Sequence, residues 1–176
     1  RIDVRVVAAT HVDLEDAVPA DRKVEARGAM RAAVAGGYPG KRIAVRINGT
    51  GSEHQADDLA ALAGLALDAV VLPKVDATTD LDPARALGLP LFAMIETPAA
   101  IYAARDIAAD PATHGLIAGL NDLAHELKLP GGMDRGAMSH AIQAIVLAAR
   151  AGGVWCFDGV YNAIDDAAGF ATEAAE

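Results

Sequence analysis

Two acidic residues lie where a predicted strand gives way to a predicted helix. Glu96 stands in residues 94–98, MIETP, and Asp122 stands in residues 119–123, GLNDL. Parallel α/β proteins collect their functional groups at the carboxyl ends of the strands, so both carboxylates are expected on one rim. Mg2+ prefers oxygen ligands and commonly uses one or two protein carboxylates, while substrate and water fill the other positions. We therefore predict that Glu96 and Asp122 bind one divalent cation, Mg2+ or alternatively Mn2+.

A cation at the end of a third predicted strand supports this interpretation. Taken singly, a strand-end carboxylate could equally cap a helix or pair with an arginine. Arg46, in residues 45–49, VRING, adds a guanidinium fork that can bind a carboxylate through two hydrogen bonds or lie beside developing enolate charge. We predict that Arg46 binds substrate and acts in catalysis. An ion pair with Glu15 or Asp16 is the alternative, and both roles can hold together.

Two further groups are predicted on the same rim. Residues 13–16, DLED, leave a predicted strand with three acids, of which Glu15 and Asp16 are predicted to support the site or hold a water molecule. Lys74 ends another strand, in residues 72–74, LPK, and is predicted as a cation for a phosphate or for one of the acids. A Schiff-base role for Lys74 is the less favoured alternative, because metal-ion Lewis acid catalysis already offers a route to carbanion stabilisation.

Other common chemistries find little support. The five histidines form neither a His-x-His nor a His-Glu-x-x-His arrangement, which argues against zinc. The single cysteine, Cys156, excludes an internal disulfide and a cysteine-rich metal site. The sequence has no Gly-x-Ser-x-Gly elbow and no Walker motif.

The elements that must position these residues alternate along the chain. Short apolar runs predict strands, and alanine- and leucine-rich stretches between them have helical spacing. The predicted strands are 12–15, 43–48, 69–74, 91–96, 115–119 and 154–160, with 2–7 as a further candidate, and the predicted helices are 22–35, 56–67, 98–109 and 138–151. Asp57 and Asp58 are interpreted as capping residues of the second helix. Thr97 is predicted as the N-cap of the third helix, with Pro98 in its first turn.

Repeated βα units predict an α/β fold, either a doubly wound sheet or a (β/α)8 TIM barrel. Functional groups at the ends of several different strands favour the barrel, whose site gathers around one mouth. A complete barrel usually takes about 250 residues. We therefore expect a single domain over 1–176 that forms an incomplete barrel, with its first and last units missing or degenerate. Its open edges are expected to be covered in a homo-oligomer, a trimer or hexamer.

The bulk properties narrow the partners. The chain has 176 residues, 53% of them hydrophobic, and a net charge of -9. This charge disfavours nucleic acid and acidic membrane surfaces, and a phosphorylated ligand would need a local basic spot. No apolar run approaches the roughly 20 residues that span a bilayer. We expect a soluble protein, with the cytoplasm as the default compartment.

Six segments, taken in order, resemble the citrate lyase beta-subunit family, which belongs with the HpcH/HpaI aldolases and malyl-CoA lyases. They are 13–19 (DLEDAVP), 45–49 (VRING), 70–75 (VVLPKV), 94–98 (MIETP), 119–124 (GLNDLA) and 158–162 (DGVYN). The resemblance implies a metal-dependent barrel in which Glu96 and Asp122 match the Mg2+ ligands and Arg46 matches the arginine at the substrate. Residues of the GLNDL motif are then expected at the substrate, namely Gly119, Leu120 and Asn121.

The resemblance also implies chemistry on acyl thioesters of coenzyme A or acyl carrier protein, with a 2-oxo acid such as oxaloacetate, pyruvate or glyoxylate. Two departures stand out. The family's opening strand, with its basic contacts to coenzyme A, is not recognisable, and its final strand and C-terminal lid are not found after Glu176. In malyl-CoA lyase relatives that lid carries an acid/base into a neighbouring site, so one proton-transfer group is expected to be lacking here.

The function predicted from these observations is cleavage of a 3-hydroxyacyl thioester of the citryl, malyl or citramalyl type to an acetyl thioester and a 2-oxo acid, or the reverse condensation. Three alternatives remain open at this point. They are an HpcH/HpaI-type aldolase acting on free 2-oxo-4-hydroxy acids, a malate synthase-like or thioesterase activity, and a binding subunit without turnover.

Overall fold

The computed structural model describes residues 13–130 and 134–175. Within these ranges five strands alternate with seven α-helices. The strands are β1 (Ala44–Arg46), β2 (Ala69–Leu72), β3 (Leu91–Ile95), β4 (Thr113–Ala118) and β5 (Trp155–Phe157). The helices are α1 (Lys23–Gly36), α2 (Gln55–Leu62), α3 (Asp82–Arg85), α4 (Pro98–Ala109), α5 (Leu120–Glu126), α6 (Ser139–Gly152) and α7 (Ala167–Glu173).

All five strands are parallel and follow one another in chain order, β1-β2-β3-β4-β5. A doubly wound sheet reverses its order at a switch point, whereas the strands of a (β/α)8 barrel run consecutively. The α/β prediction is confirmed, and the strand order is that of the barrel. Asp13 forms a parallel bridge with Arg46 and so continues the same order on the free side of β1. Residue 12 and the candidate strand 2–7 lie outside the described residues.

The sheet has two different faces. Side chains that alternate along the strands pack on one face against the helices, where Val45, Leu72 and Ile95 are buried with Ile107 of α4. The opposite face carries a smaller apolar group with three buried members, Ala69, Val71 and Phe92, and with Ala44, Met94, Ile117 and Phe157 packed against them. Arg46 follows Ala44 by two residues, so its side chain leaves β1 on this second face.

Local signals set several element ends as predicted. Thr97 caps α4 by accepting a hydrogen bond from the Ala100 N–H at 3.0 Å, and Pro98 opens the helix. The helix predicted over 98–109 matches α4, while the helix predicted over 56–67 ends at Leu62, close to the left-handed Gly64 with φ of 76°. The short helices α3, α5 and α7 are not predicted from the sequence. None of the helices in the described ranges has the length and apolar character needed to cross a membrane.

Candidate metal and substrate site

The predicted site residues meet at the carboxyl ends of neighbouring strands. Arg46 is the last residue of β1, Lys74 follows β2 by two residues, and Glu96 directly follows β3. Asp122 lies in the first turn of α5, just beyond β4. Glu15 joins them from the segment that bridges to β1, since its carboxylate lies 3.0 Å from Arg46 and 3.8 Å from Lys74. The structure therefore brings the predicted residues together on one rim.

Glu96 is the most buried acid of this group, with 3% of its surface exposed. Its Oε1 accepts the Lys74 backbone N–H at 2.7 Å. On its other side it packs against Gly119, where any Cβ atom would overlap the Glu96 Cβ and Oε2 atoms. Burial raises the pKa of Glu96 to about 7, and the nearby charge of Asp122 also raises it, while the Lys74 N–H, Arg46 and the Lys74 ammonium lower it.

Arg46 is held by a partner that the sequence pattern does not single out. Its Nε donates to Asp13 Oδ1 at 2.9 Å and its Nη2 donates to Asp13 Oδ2. The remaining nitrogen, Nη1, lies 3.0 Å from Glu15 Oε2 and 3.9 Å from Asp16 Oδ2. The ion pairs with Glu15 and Asp16 are thus present, as the alternative interpretation states, but the two-point grip belongs to Asp13. Only Nη1 is left to act on a ligand.

Glu15 keeps a buried oxygen without a hydrogen bond. Burial raises the pKa of Glu15 to about 7; Arg46 opposes this shift, and the carboxylates of Asp16 and Glu96 add to it. Oε2 has no hydrogen-bond partner among the described residues, although Arg46 Nη1 lies 3.0 Å away. That contact has the distance of an ion pair without the angle of a hydrogen bond. A buried carboxyl oxygen in this state is suited to a proton, a water molecule or a cation.

Lys74 occupies a strained backbone position at the centre of the acids. Its φ of 52° is in the left-handed region, which turns its N–H toward Glu96. Its Nζ lies 3.8 Å from both Glu15 Oε1 and Asp122 Oδ2. Burial lowers the pKa of Lys74, but the surrounding carboxylates, Glu15 first among them, outweigh this and raise it. Lys74 is therefore a rim cation for the acids, and the Schiff-base alternative loses support because it needs a neutral amine.

The charges and donor atoms of the rim fit a divalent cation. Four carboxylates, those of Glu15, Asp16, Glu96 and Asp122, are balanced by Lys74 and by an arginine that Asp13 already grips. Oxygen donors alone suit Mg2+ or Mn2+. The described residues contain no group of three or more His, Cys, Asp or Glu side chains arranged around a metal position. Two carboxylates would thus have to suffice, with substrate and water as the other ligands.

Two cavities flank the rim, and Asp16 lines both. One, of about 240 Å³, is lined by Arg46, Glu96 and Asp122 together with Gly119, Leu120, Asn121 and residues 158–160. The other, of about 440 Å³, is lined by Glu15, Lys74 and residues of the loop after β1. A larger cavity of about 900 Å³ lies against α6 and β5, where Arg135 pairs with Asp158 and Glu173. It holds none of the predicted site residues.

The three residues predicted at the substrate differ in what they offer. Gly119 gives room to Glu96. The Leu120 side chain is buried, so only its backbone could reach a ligand. Asn121 exchanges two amide hydrogen bonds with Asn162, at 3.1 and 2.8 Å, which ties α5 to the loop after β5.

One interpretation of the sequence is wrong. Asp58 does not cap α2; it is fully buried, and its Oδ1 accepts a hydrogen bond from Arg27 Nε at 2.7 Å while its Oδ2 accepts the Asn48 N–H at 2.9 Å. The N-cap position of α2, His54, has no side-chain capping bond. The adjacent acid Asp57 is exposed and lies 3.3 Å from Arg27.

Comparison with known proteins decides the family. Residues 9–176 match the HpcH/HpaI aldolase/citrate lyase family. The chain belongs to this family. Relatives include a (3S)-malyl-CoA thioesterase of Cereibacter sphaeroides, 42% identical over 92% of this chain and 58% of the relative. A citrate lyase subunit beta-like protein of Mycobacterium tuberculosis is 35% identical over 93% of this chain and 60% of the relative. The chain thus spans about three fifths of the length of these relatives, whose names agree with the prediction of a lyase-type enzyme.

Solved structures share the fold. CitE of M. tuberculosis in complex with magnesium and acetoacetate superimposes with a TM-score of 0.82, at 33% identity, over 98% of this chain and 70% of that one. The citrate lyase beta subunit of the same organism, complexed with oxaloacetate and magnesium, gives a TM-score of 0.80 at 34% identity, over 92% of this chain and 73% of that one. The resemblance predicted from the six segments is confirmed.

Proposed function

We propose that this chain carries the metal- and substrate-binding rim of a Mg2+-dependent carbon-carbon lyase that acts on a 3-hydroxyacyl thioester. The observation that supports it most directly is the meeting of Glu96, Asp122, Lys74 and Arg46 at the ends of four neighbouring strands. Complexes of the M. tuberculosis relative with magnesium, acetoacetate and coenzyme A favour the same class of ligands.

In this proposal Glu96 and Asp122 hold the metal ion. When bound, Mg2+ supplies Lewis acidity, which favours ionisation of a coordinated hydroxyl group and stabilises charge on the oxygen. The glycine at position 119 leaves the space that the Glu96 carboxylate needs at the turn into α5. The unbonded Glu15 oxygen and the raised pKa of Glu96 are both consistent with a rim that lacks positive charge until a cation arrives.

The chain's own side chains then divide the remaining work. Arg46 Nη1 and the Lys74 ammonium bind the carboxylate of the substrate and lie beside the charge that develops during cleavage. Glu15, assisted by Asp16, takes the proton of the 3-hydroxyl group. The bond between C2 and C3 breaks, its electron pair passes into the thioester as an enolate, and a proton added at C2 completes the acetyl thioester. The other product is a 2-oxo acid.

Thioester hydrolysis is a second candidate function, and a specific observation favours it. The relatives at 42% identity are named (3S)-malyl-CoA thioesterases, whereas the citrate lyase beta-like relative is 35% identical. Hydrolysis would use the same binding rim but would add water at the thioester carbonyl, releasing malate and a free thiol.

One assay separates these functions. Purified protein is incubated with (3S)-malyl-CoA in the presence and absence of Mg2+, and glyoxylate, acetyl-CoA, malate and free thiol are measured. Glyoxylate with acetyl-CoA supports the lyase, and malate with free thiol supports the thioesterase. If only free 2-oxo-4-hydroxy acids are cleaved, the aldolase alternative is right. Mg2+-dependent binding of oxaloacetate, pyruvate or glyoxylate without turnover would indicate a binding subunit.

The identity of the acyl carrier, coenzyme A or acyl carrier protein, also belongs to this proposal. The trimeric or hexameric assembly and the cytoplasmic location stay predictions from the sequence.

A further inference from the structure

Lys23 is buried, which is unusual for a lysine. It is the first residue of α1, and only 7% of its surface is exposed. Burying an ammonium group is costly unless its N–H bonds meet acceptors. Its Nζ has three acceptors, the carbonyl oxygens of Leu14 and Glu15 at 2.6 and 2.8 Å and Asn48 Oδ1 at 2.8 Å. All three N–H bonds of the ammonium are thus used, two of them on the backbone that carries Glu15.

Neither helix stability nor simple hydrogen-bond satisfaction explains this lysine. The start of a helix carries positive partial charge, so a cation there is unfavourable. The two carbonyl groups also have other donors, because the Leu14 oxygen accepts from Asn48 Nδ2 at 2.8 Å and the Glu15 oxygen accepts from the Val18 N–H at 3.1 Å. What Lys23 adds is a further fixed contact to this segment and a positive charge behind it.

Asn48 connects Lys23 to a wider buried network. Both nitrogens of Asn48 donate to Asp58 Oδ2, and Asp58 Oδ1 accepts from Arg27 Nε at 2.7 Å. The network therefore joins residues 13–16 to α1, to α2 and to the chain two residues beyond Arg46. A fully bonded buried network of this kind holds its members in one arrangement.

The positive charge of Lys23 is not used by this network. Arg27 already offsets Asp58, and within residues 13–130 and 134–175 no carboxylate forms an ion pair with Lys23. The ammonium instead contacts the peptide of Glu15, whose carboxylate contacts Arg46 and Lys74.

We propose that Lys23 is a positioning residue for the acidic turn, defined as residues 13–16. Through the Leu14 and Glu15 carbonyl groups it fixes the turn so that Glu15 faces Arg46 and Lys74. Its effect on turnover rests on the proposed function, in which Glu15 moves a proton. Its effect on the turn does not, and the two can be measured separately.

The test compares Lys23→Met with Arg22→Met, a matched control that removes the neighbouring but exposed cation. Amide hydrogen exchange is followed at Leu14, whose N–H donates to the Arg46 carbonyl, at Val18, and at Gly119 as a remote site bonded to Ile95. In Lys23→Met we expect exchange at Leu14 and Val18 to accelerate about tenfold or more, with Gly119 unchanged. Unchanged exchange at Leu14 and Val18, or equal acceleration everywhere, would overturn the proposal.

A second readout addresses turnover. We expect kcat of Lys23→Met to fall about 10- to 100-fold, because a small displacement of a catalytic group has effects of that size. The Mg2+ affinity should change little, because Glu96 and Asp122 follow other strands. Wild-type kcat alongside a loosened turn would refute the positioning role. A wild-type protein without Mg2+-dependent turnover would refute the proposed function, while the exchange result would still judge the turn.

Two measurements cover the case in which Lys23→Met does not fold. Lys23→Gln, which keeps a donor without the charge, should show smaller effects on the same amides. In the wild-type protein the Lys23 ammonium protons should exchange slowly with water in 15N–1H spectra, whereas those of the exposed Lys41 should exchange fast. Equal exchange at the two lysines would contradict the buried three-acceptor arrangement.

Discussion

Lys74 donates its backbone N–H to the buried carboxylate of Glu96 over 2.7 Å, from a left-handed backbone conformation with φ of 52°. The strained residue after β2 thereby fixes the acid after β3. Backbone strain of this kind costs about 1–3 kcal/mol and is found where the surrounding structure imposes it, often at functional sites. The relationship explains why a lysine occupies a position that glycine would fill without strain.

The strain at Lys74 predicts an inverted order of stability for two substitutions. Lys74→Gly should be more stable to urea than Lys74→Ala by about 1 kcal/mol, because glycine adopts positive φ without the Cβ penalty. At an ordinary helical position alanine would be the more stable of the two. Equal stability, or a more stable Lys74→Ala, would show that the backbone at this position is not left-handed in solution.

Proton competition predicts how Mg2+ affinity depends on pH. The folded, metal-free protein raises the pKa of Glu96 and of Glu15 to about 7, so protons occupy the rim at pH 6 and leave it by pH 8. Mg2+ affinity should therefore rise by about tenfold or more between these values, since metal binding must displace the protons. Isothermal titration calorimetry across this range checks it. A flat profile would contradict the raised pKa values.

The same shifts predict the pH dependence of the metal-free fold. An unfolded glutamate loses its proton near pH 4.5, whereas these two keep theirs to about pH 7, so the folded state binds more protons in between. Their contribution to the free energy of unfolding is full below pH 4.5 and is lost as pH rises through 7. Urea unfolding of the double variant Glu15→Gln/Glu96→Gln should lack this decline, which the wild-type protein shows.

Gly119 predicts a position-specific loss of metal binding. Gly119→Ala would push its Cβ into Glu96, so we expect both lower stability and at least about tenfold weaker Mg2+ binding. The matched control is Gly28→Ala in α1, where a Cβ meets nothing within 4 Å. That change should stabilise the protein by about 0.5–1 kcal/mol and leave Mg2+ binding alone. Similar behaviour of the two variants would argue against the close approach of Gly119 and Glu96.

Arg46 predicts that charge alone is not sufficient at its position. Arg46→Lys keeps the cation but cannot hold Asp13 with two bonds while it also reaches Glu15, so turnover should fall about 100-fold. The control is Arg42→Lys, an exposed arginine just before the same strand, 3.9 Å from Asp68. Steady-state kinetics of both variants provide the measurement, and near-normal turnover of Arg46→Lys would remove the geometric role.

The sequence predicts the rim well because periodicity determines where strands end. Apolar runs bounded by polar residues place Arg46, Lys74 and Glu96 at strand ends, and parallel strands bring their carboxyl ends to one edge. The capping signal of Thr97 and Pro98 is equally local and is found as predicted.

The contacts that the sequence does not predict are long-range. Asp13 rather than Glu15 grips Arg46 with both oxygens, because the bridge between them sets which of three neighbouring acids faces the guanidinium. Asp58 resembles a helix-start acid in the sequence, and its burial depends on Arg27 and Asn48, 31 and 10 residues away. The left-handed backbone of Lys74 likewise has no signal in the residue type, since lysine seldom adopts it.

Mg2+ titration of Glu96→Gln and Asp122→Asn tests the central claim most directly, with the exposed Asp165→Asn as the control. Calorimetry at pH 8 on folded protein should show that each site variant loses at least about tenfold in affinity, while the control binds like the wild-type protein. If both site variants keep wild-type Mg2+ affinity, these two carboxylates do not hold the metal, and the proposed lyase site is refuted.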